Sequence, residues 1–141
     1  MLLIDANIFL ELMLNQARAD ECEAFLTAVE TGSQEAAMTD LTLDSVLIIM
    51  ENRGKDASEL AKFISSIVAY RGLKLYWLSV VDRLHATVHM SRTGLDFEDS
   101  TLLEACMRLR AEGVVSFDRD FDGVQGIQRF EPRDLLHRYR K

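Results

Sequence analysis

The hydrophobic positions of the chain fall into short apolar runs that alternate with longer stretches of helical spacing. Leu2-Leu3-Ile4 is the first run, inside a strand predicted over residues 1–6, and Ala36–Thr39 is a second short apolar strand. Three further strands are predicted over residues 74–78, 114–117 and 126–130. Because strands that alternate with helices usually pair in parallel, the pattern predicts an α/β fold built on a parallel sheet.

The stretches between these strands predict helices. Their ranges are 7–14, 17–30, 41–51, 57–70, 79–92, 96–110 and 132–139. Two begin at capping-box patterns, Asp56 with Glu59 and Ser79 with Asp82, in which the first side chain accepts a backbone N–H. Pro132 opens the last helix. No repeat, linker or shift in composition divides the chain, so we predict one domain over residues 1–141.

Composition and cysteine usage narrow the class of protein. Hydrophobic residues make up 48% of the chain, enough to bury a core without disulfides or a structural metal. Cys22 and Cys106 lie among apolar residues without CxxC spacing, which favours two buried thiols over a disulfide or a zinc site. The first apolar run is too short for a signal sequence, and no stretch is long enough to span a bilayer. These features predict a cytoplasmic protein with no membrane association.

The net charge is −7, the wrong sign for a protein that holds nucleic acid by covering phosphates with basic side chains. Acids that bind metal would change this assessment, because two divalent ions would add about +4 and reverse the local field.

Two aspartates directly follow predicted strands. Asp5 comes after Leu2-Leu3-Ile4, and Asp118 comes after the strand over residues 114–117. In open α/β sheets, functional groups gather at the carboxyl ends of the strands. The two carboxylates would therefore meet if their strands are neighbours.

Two further aspartates stand among apolar helix positions. Asp99 is in line with a stripe at helical spacing, made of Leu102, Leu103, Cys106 and Leu109. Asp44 lies within an apolar run over residues 41–49, which predicts a helix buried nearly all round. A buried carboxylate needs a partner, and no basic residue is within a helical turn of Asp44. Four acids without matching cations indicate an oxygen-ligand site for Mg²⁺ or Mn²⁺.

Each acid also has a purely structural explanation. The alternatives are a helix-capping pair for Asp99, an exposed early-helix position for Asp44, a turn for Asp5 and a solvated acid-rich turn for Asp118. These alternatives stay open for each acid alone, but the four acids together favour a shared site.

Three motifs resemble those of the PIN-domain nucleases. Leu3-Ile4-Asp5-Ala6-Asn7 is similar to the family's opening strand and first metal-binding Asp. Residues 95–100, Leu-Asp-Phe-Glu-Asp-Ser, resemble the motif around its third acid. Residues 116–121, Ser-Phe-Asp-Arg-Asp-Phe, are close to the family's (Thr/Ser)-x-Asp-x-Asp-Phe turn, the most specific of the three. The resemblance covers nearly the whole chain and is strongest to the small stand-alone VapC-type toxin ribonucleases.

This resemblance implies a set of site residues. The catalytic acids would be Asp5, Asp44, Asp99 and Asp118, of which Asp5, Asp99 and Asp118 would bind metal. Asp44 occupies the place where the family usually has Glu, so its shorter side chain would reach metal only through water. The supporting residues would be Asn7 and Ser116, which orient carboxylates, and Asp96, Glu98 and Asp120, which are auxiliary ligands.

The resemblance also implies a fold and a function. The fold would be a three-layer α/β/α sandwich with a mainly parallel five-stranded sheet in the order 3-2-1-4-5. The function would be that of a Mg²⁺- or Mn²⁺-dependent endoribonuclease, the toxin of a toxin–antitoxin pair, which cuts RNA and is blocked by a small antitoxin. The family usually forms homodimers, and a self-complementary face could use Leu10, Met13 and Leu14, or the helix over residues 57–70.

Other sites and functions are weaker alternatives. Asp118-x-Asp120-x-Asp122 resembles the start of an EF-hand loop, but the position of the bidentate Glu is Arg129. His85 and His89 have the i, i+4 spacing of a helical zinc site, but the Glu of the protease motif is absent. The first strand also resembles that of haloacid-dehalogenase-type phosphatases, which need a second Asp where this chain has Asn7. A catalytically degenerate PIN domain that binds RNA or protein is the non-enzymatic alternative.

Overall fold

Five short strands form one sheet in the computed structural model, which describes residues 1–140; Lys141, the last residue of the predicted domain, lies outside the described residues. The strands are β1 (Leu2–Ile4), β2 (Ala36–Thr39), β3 (Leu73–Tyr76), β4 (Gly113–Val115) and β5 (Arg129–Phe130). Their order is β3-β2-β1-β4-β5, and all four pairings are parallel. The predicted strand order and parallel pairing are therefore confirmed.

Seven α-helices connect and cover the strands. They are α1 (Ala6–Met13), α2 (Ala19–Thr31), α3 (Asp40–Asn52), α4 (Ala57–Ala69), α5 (Val80–Thr93), α6 (Phe97–Arg108) and α7 (Pro132–Leu135). A 3-10 turn over Arg119–Gly123, here named the acidic turn, follows β4, and a second 3-10 segment over Leu136–Tyr139 follows α7.

Two apolar clusters cover the two faces of the sheet, so the fold is the predicted three-layer sandwich. Leu2 and Ile4 join one cluster with side chains of α1, α2, α3, α4 and α7. Leu3 points to the other, which is built mainly from α6 and includes Phe121 of the acidic turn. This alternation follows from the strand period of two. Helix α5 packs on α6.

Both cysteines are free and buried, as the apolar surroundings predicted. Burial raises the pKa of the Cys22 thiol to about 12 and that of Cys106 to about 11. The thiols are therefore core groups with little tendency to ionise.

Side-chain caps fix where several helices begin. Ser79 and Asp82 form the predicted capping box at the start of α5. At the start of α4, the Asp56 carboxylate accepts the backbone N–H of Glu59 at 2.9 Å. Gly94 ends α5 in a left-handed conformation, with φ of 76°, which a residue with a side chain adopts only under strain. Ser79 and Gly94 therefore fix where α5 begins and ends.

Some predicted boundaries are wrong. The predicted first strand ran to residue 6, but β1 ends at Ile4 because Asp5 caps α1. The last α-helix ends at Leu135 and continues only as 3-10 backbone. The helix around Asp44 is not buried nearly all round: the buried residues of α3 are Thr42, Val46 and Met50, and Asp44 is exposed.

No helix within residues 1–140 combines the length and the apolar character needed to cross a membrane.

Candidate metal centre

Asp5 stands at the junction of β1 and α1. Its backbone N–H donates to the carbonyl of Val115 at 3.0 Å, which ties it to the neighbouring strand β4. Its side chain caps α1: Oδ1 accepts the N–H of Ala6 at 2.7 Å. The carboxylate is buried, with 7% of the residue exposed. The helix N-terminus therefore orients this acid before any ligand arrives.

Ser116 connects the ends of β1 and β4. Its hydroxyl donates to Asp5 Oδ2 at 2.6 Å and accepts the backbone N–H of Asp118 at 3.0 Å. Asn7 extends the network, since its Nδ2 lies 3.1 Å from Ser116 Oγ and 3.3 Å from Asp5 Oδ2. Its Oδ1 accepts the N–H of Phe117 at 3.3 Å. One buried hydroxyl thus sets the relative positions of two of the acids named from the sequence.

Asp99 enters the site from α6. Asp96 caps this helix by accepting the N–H of Asp99 at 2.8 Å, so Asp99 lies in the first turn. The stripe that includes Leu102 and Leu103 faces the sheet and holds the helix there, and Asp99 is buried with 8% of its surface exposed. Asp99 is therefore both a first-turn acid, as the structural alternative held, and a member of the acidic cluster described next.

Asp99, Asp118 and Asp120 converge. Each offers a carboxylate oxygen, and these three oxygens all lie within 4.8 Å of one another. Asp118 caps the acidic turn, where its Oδ1 accepts the N–H of Asp120 at 2.9 Å. Burial decreases across the group, from buried Asp99 through half-buried Asp118 to exposed Asp120. The cluster thus opens to solvent on the side of the acidic turn.

The electrostatics of the site disfavour ionisation. Burial raises the pKa of Asp99 to about 8, and repulsion by Asp5, Asp96 and Asp118 adds to this effect. Burial raises the pKa of Asp5 to about 6, while the hydrogen bonds from Ser116 and Ala6 oppose the rise. Glu98 and Asp118 also raise the Asp5 value, which places both near it. The site therefore holds several acids whose negative charges are not balanced by nearby positive charge.

The auxiliary acids named from the sequence occupy different places. Asp96 is exposed and acts as the cap of α6, and half-buried Glu98 lies near Asp5. Asp120 is in the cluster. Asp44 is exposed and is absent from that group among the described residues. The burial argument that singled out Asp44 fails, so its proposed role depends on the family resemblance.

Sequence reasoning missed the basic residues that support the acidic turn. Arg129 on β5 donates to Asp122 and to the carbonyl of Ser116, and Glu131 links it to Arg18. The signal was present as an arginine in a predicted strand, but the sequence does not show its partners.

The histidine pair has a structural role in α5–α6 packing. His85 Nδ1 and His89 Nε2 each lie 3.2 Å from one oxygen of the Glu104 carboxylate. Arg108 Nε lies 3.4 Å from Glu104 Oε2. Burial raises the pKa of Glu104, but the contacts with His89 and His85 outweigh it, so the pKa lies below its usual value. Both histidines and Arg108 thus contact one carboxylate, in a hydrogen-bond network that joins α5 to α6.

The acidic cluster fits a hard divalent cation. Its donors are all carboxylate oxygens, which suit Mg²⁺ and Mn²⁺ better than softer metals. Within residues 1–140, no Lys, Arg or His forms an ion pair with Asp5, Asp99, Asp118 or Asp120. Buried carboxylates normally have a cationic partner. A bound metal ion would supply the missing positive charge.

Comparison with solved structures supports the fold. The chain is similar to VapC20 of Mycobacterium tuberculosis, described as a sarcin–ricin loop cleaving toxin, with a TM-score of 0.76 and 14% identity over 94% of this chain and 100% of that one. It is also similar to a chain of a toxin–antitoxin complex from Klebsiella pneumoniae, with a TM-score of 0.70 and 16% identity over 94% and 98% of the two chains.

Comparison of sequences identifies the family. None of the curated protein sequences is similar enough to this chain to count as a match. The family model of the PIN domain, in contrast, matches residues 1–120, which include every acid of the cluster. This chain belongs to the PIN-domain family.

Proposed function

We propose that this protein is a metal-dependent endoribonuclease and the toxin of a toxin–antitoxin pair. The observation that carries the proposal is the convergence of Asp99, Asp118 and Asp120 within 4.8 Å, beside Asp5 and without a cationic partner among the described residues. Membership of the PIN-domain family supports a nuclease. The similar M. tuberculosis protein is a toxin that cleaves the sarcin–ricin loop, and by analogy we propose RNA as the substrate here.

The site residues would divide the work of holding Mg²⁺ or Mn²⁺. Asp99 and Asp118 would bind the ion directly, and Asp120 would close the exposed side. Asp5, fixed by Ser116 and the N-terminus of α1, would complete the set. A bound divalent cation supplies a water of lowered pKa and neutralises charge on the phosphate.

The protein's own part in the reaction is positioning and charge. Asp99 must lose its proton for the site to load, since its pKa of about 8 leaves it mainly neutral at pH 7. Asn7 and Ser116 hold Asp5 and the Asp118 backbone so that the carboxylates need not reorganise. No side-chain nucleophile is required. Asp44, whose role depends on the resemblance, would reach the ion only through water.

We propose a small antitoxin as the protein partner, because a similar chain forms part of a toxin–antitoxin complex. A groove of about 360 Å³ offers a docking surface for it, with an apolar floor that includes Phe9, Leu12, Met13, Phe63 and Ile67. Lys55, Glu59 and Lys62 also line the groove, and Lys55 pairs with Glu59 at 3.4 Å. The apolar floor fits the apolar face of an amphipathic segment, and Lys62 would pair with an acidic residue at its flank.

For the homodimer, the structure offers a further face beside the one proposed from the sequence, which used Leu10, Met13 and Leu14, or α4. Leu10 and Met13 are half-buried and pack against the core, and Leu14 is half-buried. The further face is an exposed apolar stripe, here named the α5 stripe, which combines residues of the first half of α5 with Trp77 just before the helix. Its members and exposed fractions are Trp77 70%, Val80 83%, Val81 52%, Leu84 63% and Val88 43%.

Two features favour a second copy of this chain on the α5 stripe. Within α5, the 3-4 spacing of residues 81, 84 and 88 is that of a seam between two packed helices, and Trp77 extends the apolar surface before the helix begins. The acid of α5 is Asp82, which is buried, so the stripe has no exposed carboxylate on its own helix. Two copies of an acidic chain can approach here with little of the repulsion that other surfaces would bring.

The alternative is a catalytically degenerate PIN domain that binds RNA or protein. The net charge of −7 and the exposed Asp44 favour it. The two functions differ in their need for metal. Incubating the purified protein with structured RNA and Mn²⁺ tests them: metal-dependent cleavage supports the nuclease, whereas RNA binding without metal binding or cleavage supports the module. We propose that the protein acts in the cytoplasm, where both functions would find RNA.

A further inference from the structure

Arg129 is a nearly buried arginine whose contacts the proposed chemistry does not explain. Only 12% of its side chain is exposed. Its Nε lies 2.8 Å from Asp122 Oδ1, and its Nη2 lies 3.3 Å from Asp122 Oδ2, so the ion pair is bidentate. Its Nη1 donates to the backbone carbonyl of Ser116 at 3.0 Å and to Glu131 Oε1 at 3.2 Å. A planar guanidinium can serve all these partners at once, and an ammonium group cannot.

The partners of Arg129 lie at both ends of one segment. Ser116 begins the stretch over residues 116–122 and Asp122 ends it, and the two candidate metal ligands Asp118 and Asp120 lie between them. Inside this stretch, short local hydrogen bonds fix the acids: Ser116 Oγ accepts the Asp118 N–H, and Asp118 accepts the Asp120 N–H. Holding both ends therefore limits how far either carboxylate can move.

The strand and the acid that hold Arg129 are themselves fixed by other contacts. Arg129 lies on β5, and the neighbouring Phe130 carbonyl accepts the N–H of Ser116 at 2.9 Å. Glu131 joins Arg129 to Arg18, whose Nη2 donates to Glu131 Oε2 at 2.6 Å. The hydrogen bonds from Arg18 and Arg129 lower the pKa of Glu131 to about 2. The chain of ion pairs thus connects the acidic turn to α2.

We propose that Arg129 is a positioning residue for the metal centre, which holds residues 116–122 so that Asp118 and Asp120 are preorganised beside Asp99. This inference rests on the proposed metal-dependent function. Arg129 touches neither metal nor substrate; it acts through Ser116 and Asp122. Outer partners of metal ligands typically change metal affinity by about 10–100-fold when they are lost.

The test compares Arg129→Gln with Arg133→Gln. Arg133 also pairs with Glu131, at 3.3 Å, but it is 64% exposed and has no contact with Ser116 or Asp122 among the interactions of the described residues. Each substitution removes one positively charged partner of Glu131. Mn²⁺ affinity is measured by calorimetry well below the melting temperature of each protein. The electron paramagnetic resonance spectrum of bound Mn²⁺ reports the ligand geometry, which a loss of stability alone does not change.

We expect Arg129→Gln to weaken Mn²⁺ binding by about 10–100-fold and to broaden the Mn²⁺ spectrum, with Arg133→Gln within about twofold of the parent. Arg129→Lys should behave like Arg129→Gln, because a lysine cannot hold both ends of the segment. Equal affinity in the parent and Arg129→Gln would overturn the inference, as would an equal loss in Arg133→Gln.

Asp122→Asn is the second variant, needed if Arg129→Gln does not fold. Asp122 is exposed, so its replacement should leave the core intact, and it removes one of the two ends that Arg129 holds. A weaker Mn²⁺ affinity supports the positioning role, and an unchanged affinity refutes it. If the parent protein binds neither Mn²⁺ nor Mg²⁺, the proposed function fails and this inference fails with it. If the parent binds metal and the variants bind it equally well, the function stands and the inference is wrong.

Discussion

Metal binding at neutral pH should release a proton from Asp99. The pKa of this buried carboxyl is about 8, so at pH 7 about nine molecules in ten carry the proton in the metal-free protein. Asp5, with a pKa of about 6, is protonated in about one molecule in ten at the same pH. A divalent cation binds carboxylates only in their ionised form. Loading the site at pH 7 should therefore release about one proton in all.

Isothermal titration calorimetry measures this number directly. Mn²⁺ is titrated into the protein in two buffers that have different ionisation enthalpies, and the difference between the observed enthalpies gives the protons released. The release should fall from about one at pH 7 to about 0.1 at pH 9, where Asp99 is already ionised. The affinity should rise about tenfold per pH unit between pH 6 and pH 7 and level off above pH 8.

Asp99→Asn is the matched control. It has nearly the same shape, carries no titratable proton and should release only the small share that belongs to Asp5. Metal binding by the parent protein without proton release at pH 7 would show that Asp99 is ionised beforehand, and the account of its burial and repulsion would be wrong. The same release from Asp99→Asn as from the parent would assign the proton to another group.

Three further measurements test the electrostatics, the proposed dimer and the hydrogen-bond network. A carboxyl whose pKa is higher in the folded than in the unfolded state binds more protons when folded, so the free energy of unfolding of the metal-free protein should fall as pH rises from about 5 to 8. Asp99→Asn should flatten this dependence in urea denaturation, and an equally steep curve would contradict the assignment. Leu84→Glu on the α5 stripe should give a monomer in analytical ultracentrifugation, whereas Val68→Glu on α4 should not; the reverse result would place the dimer on α4. Ser116→Ala should weaken Mn²⁺ binding about 10–100-fold by calorimetry, and an unchanged affinity would remove Ser116 from the site.

The sequence predicted the parts of the site that depend on strand order. Asp5 and Asp118 follow strands, and the pairing of Ile4 with Val115 in adjacent strands brings them to one edge of the sheet. Asp99 was recognisable because a carboxylate at helical spacing from Leu102 must lie on the buried face. In these cases a local period decides the direction of the side chain.

The sequence was misleading at Asp44. When apolar residues occupy nearly every position of a helix, periodicity does not tell a buried side from an exposed one. Here α3 buries Val46 and Met50 and leaves Ile48 57% exposed, on the same helix as exposed Asp44. The packing of α3 against α1 decides which side is covered, and that is a tertiary contact.

The support of the acidic turn could not be predicted at all. The residues between β4 and β5 have no helical or strand period, because a 3-10 turn is fixed by caps and side-chain contacts. Arg129 reaches back to Ser116 and Asp122 only once β5 has paired with β4. An ion pair of this kind depends on the complete sheet and leaves no local signal.

The most direct measurement is the cleavage of structured RNA by the purified protein with Mn²⁺ or Mg²⁺, beside Asp99→Asn and a sample with EDTA. The account predicts cleavage that needs the metal and is lost in the variant, although Asp99→Asn remains folded by circular dichroism. Cleavage that survives in EDTA or in Asp99→Asn would contradict the metal centre. No cleavage of several RNAs by the folded parent, together with no metal binding in the calorimeter, would contradict the nuclease and leave the binding module as the function.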